Sequence, residues 1–119
     1  MVLILGGFGA GKTAYARSLG YTDADFTTDV SDGKPVLVGL EALVRRDPEH
    51  ADALFVPLCK KDLVLCCEVG SGVIPLEKAD RAYREAVGRL CVRLAAEANA
   101  VVRIVAGIPT VLKGELPCV

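Results

Sequence analysis

The chain has no uncharged run approaching the ~18 residues that a membrane span needs, so no membrane span is expected. Its opening MVLIL run lacks a basic segment before it and a small-residue cleavage site after it, and it does not read as a secretory leader. Charge of either sign is not in excess: the formal net charge is −1. That removes the long-range pull toward nucleic acid or an anionic membrane, and any polyanion must be held by a local site. The five cysteines (Cys59, Cys66, Cys67, Cys91 and Cys118) are odd in number and show no CxxC spacing. A disulfide framework and a zinc site are both disfavoured, and the thiols read as small buried hydrophobes of a cytoplasmic protein. Histidine is nearly absent, with His50 alone.

What is present is apolar and regular. The 119 residues are 52% hydrophobic with a mean hydropathy of +0.41, enough for one core and one domain over residues 1–119. Val2 to Leu5 is an apolar run without alternation, the mark of a strand covered on both faces. Thr13 to Leu19 reads as a helix stopped by Gly20. Tyr21 to Pro35 is acidic and turn-rich, around a short strand at Phe26 to Thr28. Val36 to Val44 reads either as a strand leading into a helix or as one helix, and Pro48 opens a further helix through about Lys60. Leu63 to Cys67 is a second buried strand, on which Cys66 and Cys67 face opposite sides. Apolar residues recurring from Ala79 through Ala82, Tyr83, Ala86, Val87, Leu90 and Leu94 to Ala98 predict an amphipathic helix over Glu77 to Ala98. Val101 to Ala106 follows as a strand that Gly107-Ile108-Pro109 ends. A strand, a long helical crossover and another strand make a βαβ unit, which points to an α/β fold with a mainly parallel sheet.

Directly behind the first strand stands GGFGAGKT: Gly6, Gly7, Phe8, Gly9, Ala10, Gly11, Lys12 and Thr13. It fits GxxxxGK[ST] in the strand-then-helix context of a P-loop. The glycines let successive N–H groups turn inward toward phosphate, Lys12 reaches the β- and γ-phosphates, and the Thr13 hydroxyl suits Mg²⁺. The expected fold is therefore a P-loop NTPase-like three-layer α/β fold, and the expected ligands are GTP or ATP with Mg²⁺. Which base is bound is not written in the pattern. A carboxylate at the end of a neighbouring strand is also expected, and DLVLCCE supplies Glu68, either for the metal and the acceptor or as a simple turn cap. Asp23, Asp25, Asp29 and Asp32 read either as a solvated loop or as a substrate or metal site.

From Glu68 to Gly114 the chain resembles the bifunctional adenosylcobinamide kinase and adenosylcobinamide-phosphate guanylyltransferase family of cobalamin biosynthesis. The resemblance lies in the EVGSGVIP turn (Glu68 to Pro75), the helix from Arg84 to Ala95 with its R-x-x-x-G start, and the closing strand, glycine and lysine from Val101 to Lys113. The family's GG-x-x-x-GKS loop is similar to Gly6 to Thr13, with threonine in place of serine. The resemblance implies transfer of a γ-phosphoryl group from ATP or GTP to the aminopropanol hydroxyl of adenosylcobinamide, then attachment of GMP to the resulting phosphate. It implies a corrinoid substrate and a homo-oligomer, and a corrin is large for a pocket enclosed by a single 119-residue chain. The family's arginine-containing segment with its guanylylated histidine has no counterpart here, which leaves His50, preceded by Arg45 and Arg46, as the candidate carrier or as a plain surface residue. The family's separate acidic strand is absent or merged into DLVLCCE, so either Glu68 serves both steps or one activity is lost. Two other classes stay open: a compact P-loop kinase for another small alcohol, and a non-catalytic nucleotide-binding module that meets a partner through its VIP and IPTVL surfaces.

Overall fold

The computed structural model describes residues 1–68 and 78–115. The EVGSGVIP turn after Glu68, the first residue of the expected long helix, and Cys118 lie outside the described residues. The elements run β1 (Val2–Gly6), α1 (Lys12–Ser18), β2 (Phe26–Thr27), β3 (Val36–Leu37), α2 (Leu40–Arg46), α3 (Phe55–Cys59), β4 (Leu63–Cys67), α4 (Lys78–Glu97), β5 (Ala100–Val105) and β6 (Ile108–Lys113). The strands form a six-stranded sheet in the order β2-β3-β4-β1-β5-β6. Every neighbouring pair is parallel except β5 and β6.

Three layers follow from strand alternation. Leu3, Val64, Cys66 and Val101 face a core built with α2 and α4, through Leu40, Val44, Val87, Leu90 and Leu94. Their neighbours Ile4, Leu65, Val102 and Ile104 face the other way, onto Ala16 of α1. Both faces of β1 and β4 are covered, which is why these strands carry no polar alternation. The fold is α/β with a mainly parallel sheet between helical layers, as expected.

The ambiguous segment resolves as a strand leading into a helix, β3 followed by α2. The helix expected from Pro48 to Lys60 is not continuous. Pro48–Leu54 is a 3-10 segment with non-helical angles at His50 (φ −109°, ψ 21°), and only Phe55–Cys59 is α-helical. Pro57 offers no N–H and sits in the first turn of α3, where none is needed, so the helix begins anew there. In α4 the apolar stripe from Tyr83 to Ala98 is buried as expected, and Ala82 is exposed. Arg45 lies 4.3 Å from the ring centre of Tyr83 and Arg93 4.1 Å from that of Phe55, so long side chains seal the seams between α4 and the crossover.

The other correction is at the carboxyl end. Gly107-Ile108-Pro109 does not stop the sheet: Ala106 (φ 50°) and Gly107 (φ 77°) make a two-residue turn, and Ile108–Lys113 returns antiparallel to β5. Two successive positive φ angles match the twist of a tight hairpin. Pro109 is tolerated because β6 is an edge strand. Among the described residues no helix is long and apolar enough to cross a membrane.

Candidate functional site

The glycine-rich loop joins the carboxyl end of β1 to the first residue of α1. Its shape requires glycine at defined places. A Cβ on Gly6 would lie 2.8 Å from the carbonyl oxygen of Ile104, and Gly11 sits at φ +99°, a conformation that residues with a Cβ rarely adopt. The loop is braced from behind, because the Gly107 N–H donates to the Ala10 carbonyl at 2.8 Å. The hairpin turn before β6 therefore supports the loop. Phe8 stands wholly exposed at the tip.

Lys12 is folded back over the strand end. Its Nζ donates to the carbonyl oxygens of Gly6 (3.0 Å) and Gly7 (2.9 Å) and to Sγ of Cys67 (3.3 Å). The N–H of Glu68 donates to the same Gly6 carbonyl at 2.9 Å. The structure thus brings Lys12 and Glu68 together at one backbone oxygen, at the carboxyl edge shared by β1 and β4. Thr13 is exposed beside them. Cys67 points at this cluster while Cys66 points into the core toward Cys91, at 3.9 Å, which is the opposed arrangement expected of adjacent strand residues. Burial pushes the Cys67 thiol up, and the Lys12 ammonium partly offsets it. The hydrogen bond shared by Cys66 and Cys91, in which Cys66 keeps the proton, and burial push the Cys66 thiol up as well.

Glu68 is not a free carboxylate. Arg103 of β5 holds both of its oxygens, with Nε to Oε1 at 2.6 Å and Nη2 to Oε2 at 3.0 Å. The pair spans the two strands that flank β1, and Arg103 is registered beside Leu5. No local sequence pattern singles out Arg103. Nor does one single out Glu41 in the first turn of α2, whose Oε1 accepts the Cys67 N–H at 3.1 Å. β3 pairs with β4 only as far as Leu37, and Glu41 takes over the ladder where β3 stops. Its Oε2 is buried without a hydrogen-bond partner among the described residues.

His50 is not brought to this cluster. It lies on the crossover between β3 and β4, its side chain is 74% exposed, and Nδ1 faces Asp47 Oδ2 at 2.7 Å. The acidic segment is consumed by local structure. Asp23 pairs with Arg17 at 2.8 Å, Asp25 accepts the Thr22 N–H, Asp29 accepts from Ser31, and Asp32 accepts from Thr27, Lys34 and Lys61. The solvated-loop reading fits these contacts.

A family model for cobinamide kinase / cobinamide phosphate guanyltransferase matches residues 45–112, more than half of the chain. The chain belongs to this family. The match covers His50, Glu68 and Arg103 and begins after the glycine-rich loop and Glu41. Membership places the protein among the transferases of cobalamin biosynthesis, enzymes of cobinamide modification that use nucleoside triphosphates. No curated protein sequence matches the chain.

Proposed function

We propose that the protein is a cobinamide kinase, transferring the γ-phosphoryl group of ATP or GTP to the hydroxyl of the acceptor's aminopropanol arm. The observation that carries this is the meeting of Lys12 and Glu68 at the Gly6 carbonyl, in a chain of the cobinamide kinase family. The amides of Gly6, Gly7, Phe8, Gly9, Ala10 and Gly11 cradle the phosphates, and Lys12 leaves its three resting acceptors to neutralise charge on the transferring group. The hard oxygens of Thr13 and Glu68 suit Mg²⁺, which is commonly bound by one or two protein oxygens with the remainder from phosphate and water. Held there, Mg²⁺ would supply positive charge against that of the phosphates.

In the transfer, a bond forms between the acceptor oxygen and the γ-phosphorus as the bridging bond to the β-phosphate breaks. The hydroxyl proton passes to Glu68, and ADP or GDP leaves. Arg103 fixes the direction of the Glu68 carboxylate. The reading keeps the homo-oligomer, for which the exposed Ile108, Val111 and Leu112 of edge strand β6 offer an apolar border.

The test is to incubate the purified protein with Mg²⁺, each nucleotide in turn and adenosylcobinamide, and to look for the phosphorylated corrinoid by mass spectrometry. Product formation that Lys12→Met abolishes supports the reading. Tight nucleotide binding with no product from this acceptor, and turnover of another small alcohol, would replace it with the compact-kinase alternative. Binding without any turnover would leave a nucleotide-binding module.

A further inference from the structure

A cavity of about 650 Å³ is lined by Asp32, Lys34 and Lys61 among others. It opens at the amino ends of β3 and β4, away from the loop. Its buried ammonium already has acceptors in Asp32 and Lys34. A smaller cavity, about 150 Å³, lies at the other end of the sheet, walled among the described residues by Leu5, Cys67, Glu68, Val87, Gly88 and Cys91. Cys67 is the residue whose sulfur accepts from Lys12, and Glu68 shares the Gly6 carbonyl with that lysine. One wall of the small cavity is therefore the strand end of the site, and the opposite wall is α4.

Gly88 lies inside the 20-residue helix α4, where glycine is the least favourable residue other than proline. Among the described residues no packing constraint demands it, since a Cβ built there meets none of them within 4 Å. What the missing side chain does provide is open space along the wall of the cavity. About 150 Å³ is room for about five water volumes, less than a whole-ligand pocket but enough for a short chain. The lining is apolar or thiol except at Glu68. One carboxylate at the end of an otherwise apolar slot suits a short hydroxyalkyl group whose hydroxyl meets that carboxylate.

The geometry points to this cavity as the subsite for the hydroxyl-bearing arm of the acceptor, with Gly88 as the residue that sets its size. The inference rests on the kinase reading above. The arm lies between Leu5 and Val87 with its hydroxyl toward Glu68. The bulk of the corrinoid stays outside, beyond Gly88, where a broader depression continues past Arg89, Val92 and Arg93.

The test compares Gly88→Ala and Gly88→Leu with the unaltered protein. Both substitutions replace a poor helix former on an open face, so both retain the fold, and thermal unfolding checks this. Equilibrium dialysis against adenosylcobinamide and steady-state phosphorylation are read beside nucleotide affinity. Gly88→Leu is expected to weaken acceptor binding and raise its KM by about 10-fold or more, as filling a substrate pocket does, without a matching change in nucleotide affinity, and Gly88→Ala to fall between. A folded Gly88→Leu protein with an unchanged acceptor KM overturns the subsite while the kinase reading stands. An unaltered protein that neither binds nor phosphorylates adenosylcobinamide overturns both.

Discussion

Arg103 grips Glu68 by both carboxylate oxygens, at 2.6 and 3.0 Å, across the strand that carries the glycine-rich loop. A bidentate pair fixes the orientation of a carboxylate as well as its position. If Glu68 takes the acceptor proton, its direction matters more to the chemical step than to nucleotide binding. Arg103→Met is therefore expected to lower kcat by about 10- to 100-fold and to leave nucleotide affinity close to that of the unaltered protein. Arg103→Lys, which keeps the charge but not the fork, should recover only part of the rate. Steady-state kinetics beside nucleotide titration decide it, and an unchanged kcat in Arg103→Met would remove Arg103 from the site.

Glu41 presents a different balance. One oxygen is bonded to the Cys67 N–H and the other is buried without a hydrogen-bond partner among the described residues, so the bond is useful while the charge is costly to bury. Glu41→Gln keeps the acceptor and discards the charge, and it should unfold at the same temperature as the unaltered protein or higher. Glu41→Ala leaves the Cys67 N–H unpaired and should lose about 1–2 kcal/mol. Chemical denaturation of the two variants checks the order, and equal loss in both would show that the charge itself is stabilising.

The parts of this molecule that are legible in the sequence are those whose signal is local. β1 and β4 show as unalternating apolar runs because helices cover both faces. The loop shows because its backbone demands glycine at fixed places, with no room for a Cβ at Gly6 and a positive φ at Gly11. β6 is hidden because Pro109 reads as a terminator, and only its edge position makes proline acceptable there. Arg103 and Glu41 are hidden for another reason. Each acquires its meaning from sheet order: Arg103 because β4 and β5 both flank β1, and Glu41 because β3 ends early and leaves a strand N–H to be satisfied. The small cavity is a property of α4 lying across β1 and β4, and the only local trace of it is a glycine where a helix former is expected.

The acidic segment predicts an acid dependence. The Asp32 carboxyl is held below the usual carboxylate range, first by the Thr27 hydroxyl and then by the Lys34 N–H and the Lys61 ammonium, with burial working against them. Asp29 is lowered too, by the hydroxyl and N–H of Ser31. A carboxyl whose folded pKa lies below its unfolded pKa contributes stability that is complete above the unfolded value and is lost as pH falls through the folded one. Asp32→Asn should therefore melt below the unaltered protein at neutral pH, and the gap should close below about pH 4. A gap that stays constant down to pH 2 would mean that charge on Asp32 is not what matters. Lys61 is the buried partner, with Nζ 2.8 Å from the Asp32 carbonyl and 2.7 Å from that of Lys34. Lys61→Met strands both carbonyls and should cost about 2–4 kcal/mol in chemical denaturation.

The family name includes a guanylyl step, and His50 bears on whether this chain retains it. A histidine that carries GMP must attack the α-phosphorus of GTP through a free ring nitrogen, while nearby donors neutralise the phosphate charge. In His50, Nδ1 is engaged by Asp47 at 2.7 Å, which leaves Nε2 for such an attack, but the side chain is 74% exposed and stands on the crossover. None of its hydrogen bonds or ion pairs reaches Gly6 to Thr13 or Glu68. Intact-protein mass spectrometry after incubation with GTP and Mg²⁺ is therefore expected to show no GMP-sized adduct, and His50→Ala to phosphorylate adenosylcobinamide as the unaltered protein does. An adduct that disappears on adding adenosylcobinamide phosphate and is absent from His50→Ala would restore the second activity and make His50 its carrier. The crossover would then have to bring His50 to the GTP α-phosphate, within a subunit or between two.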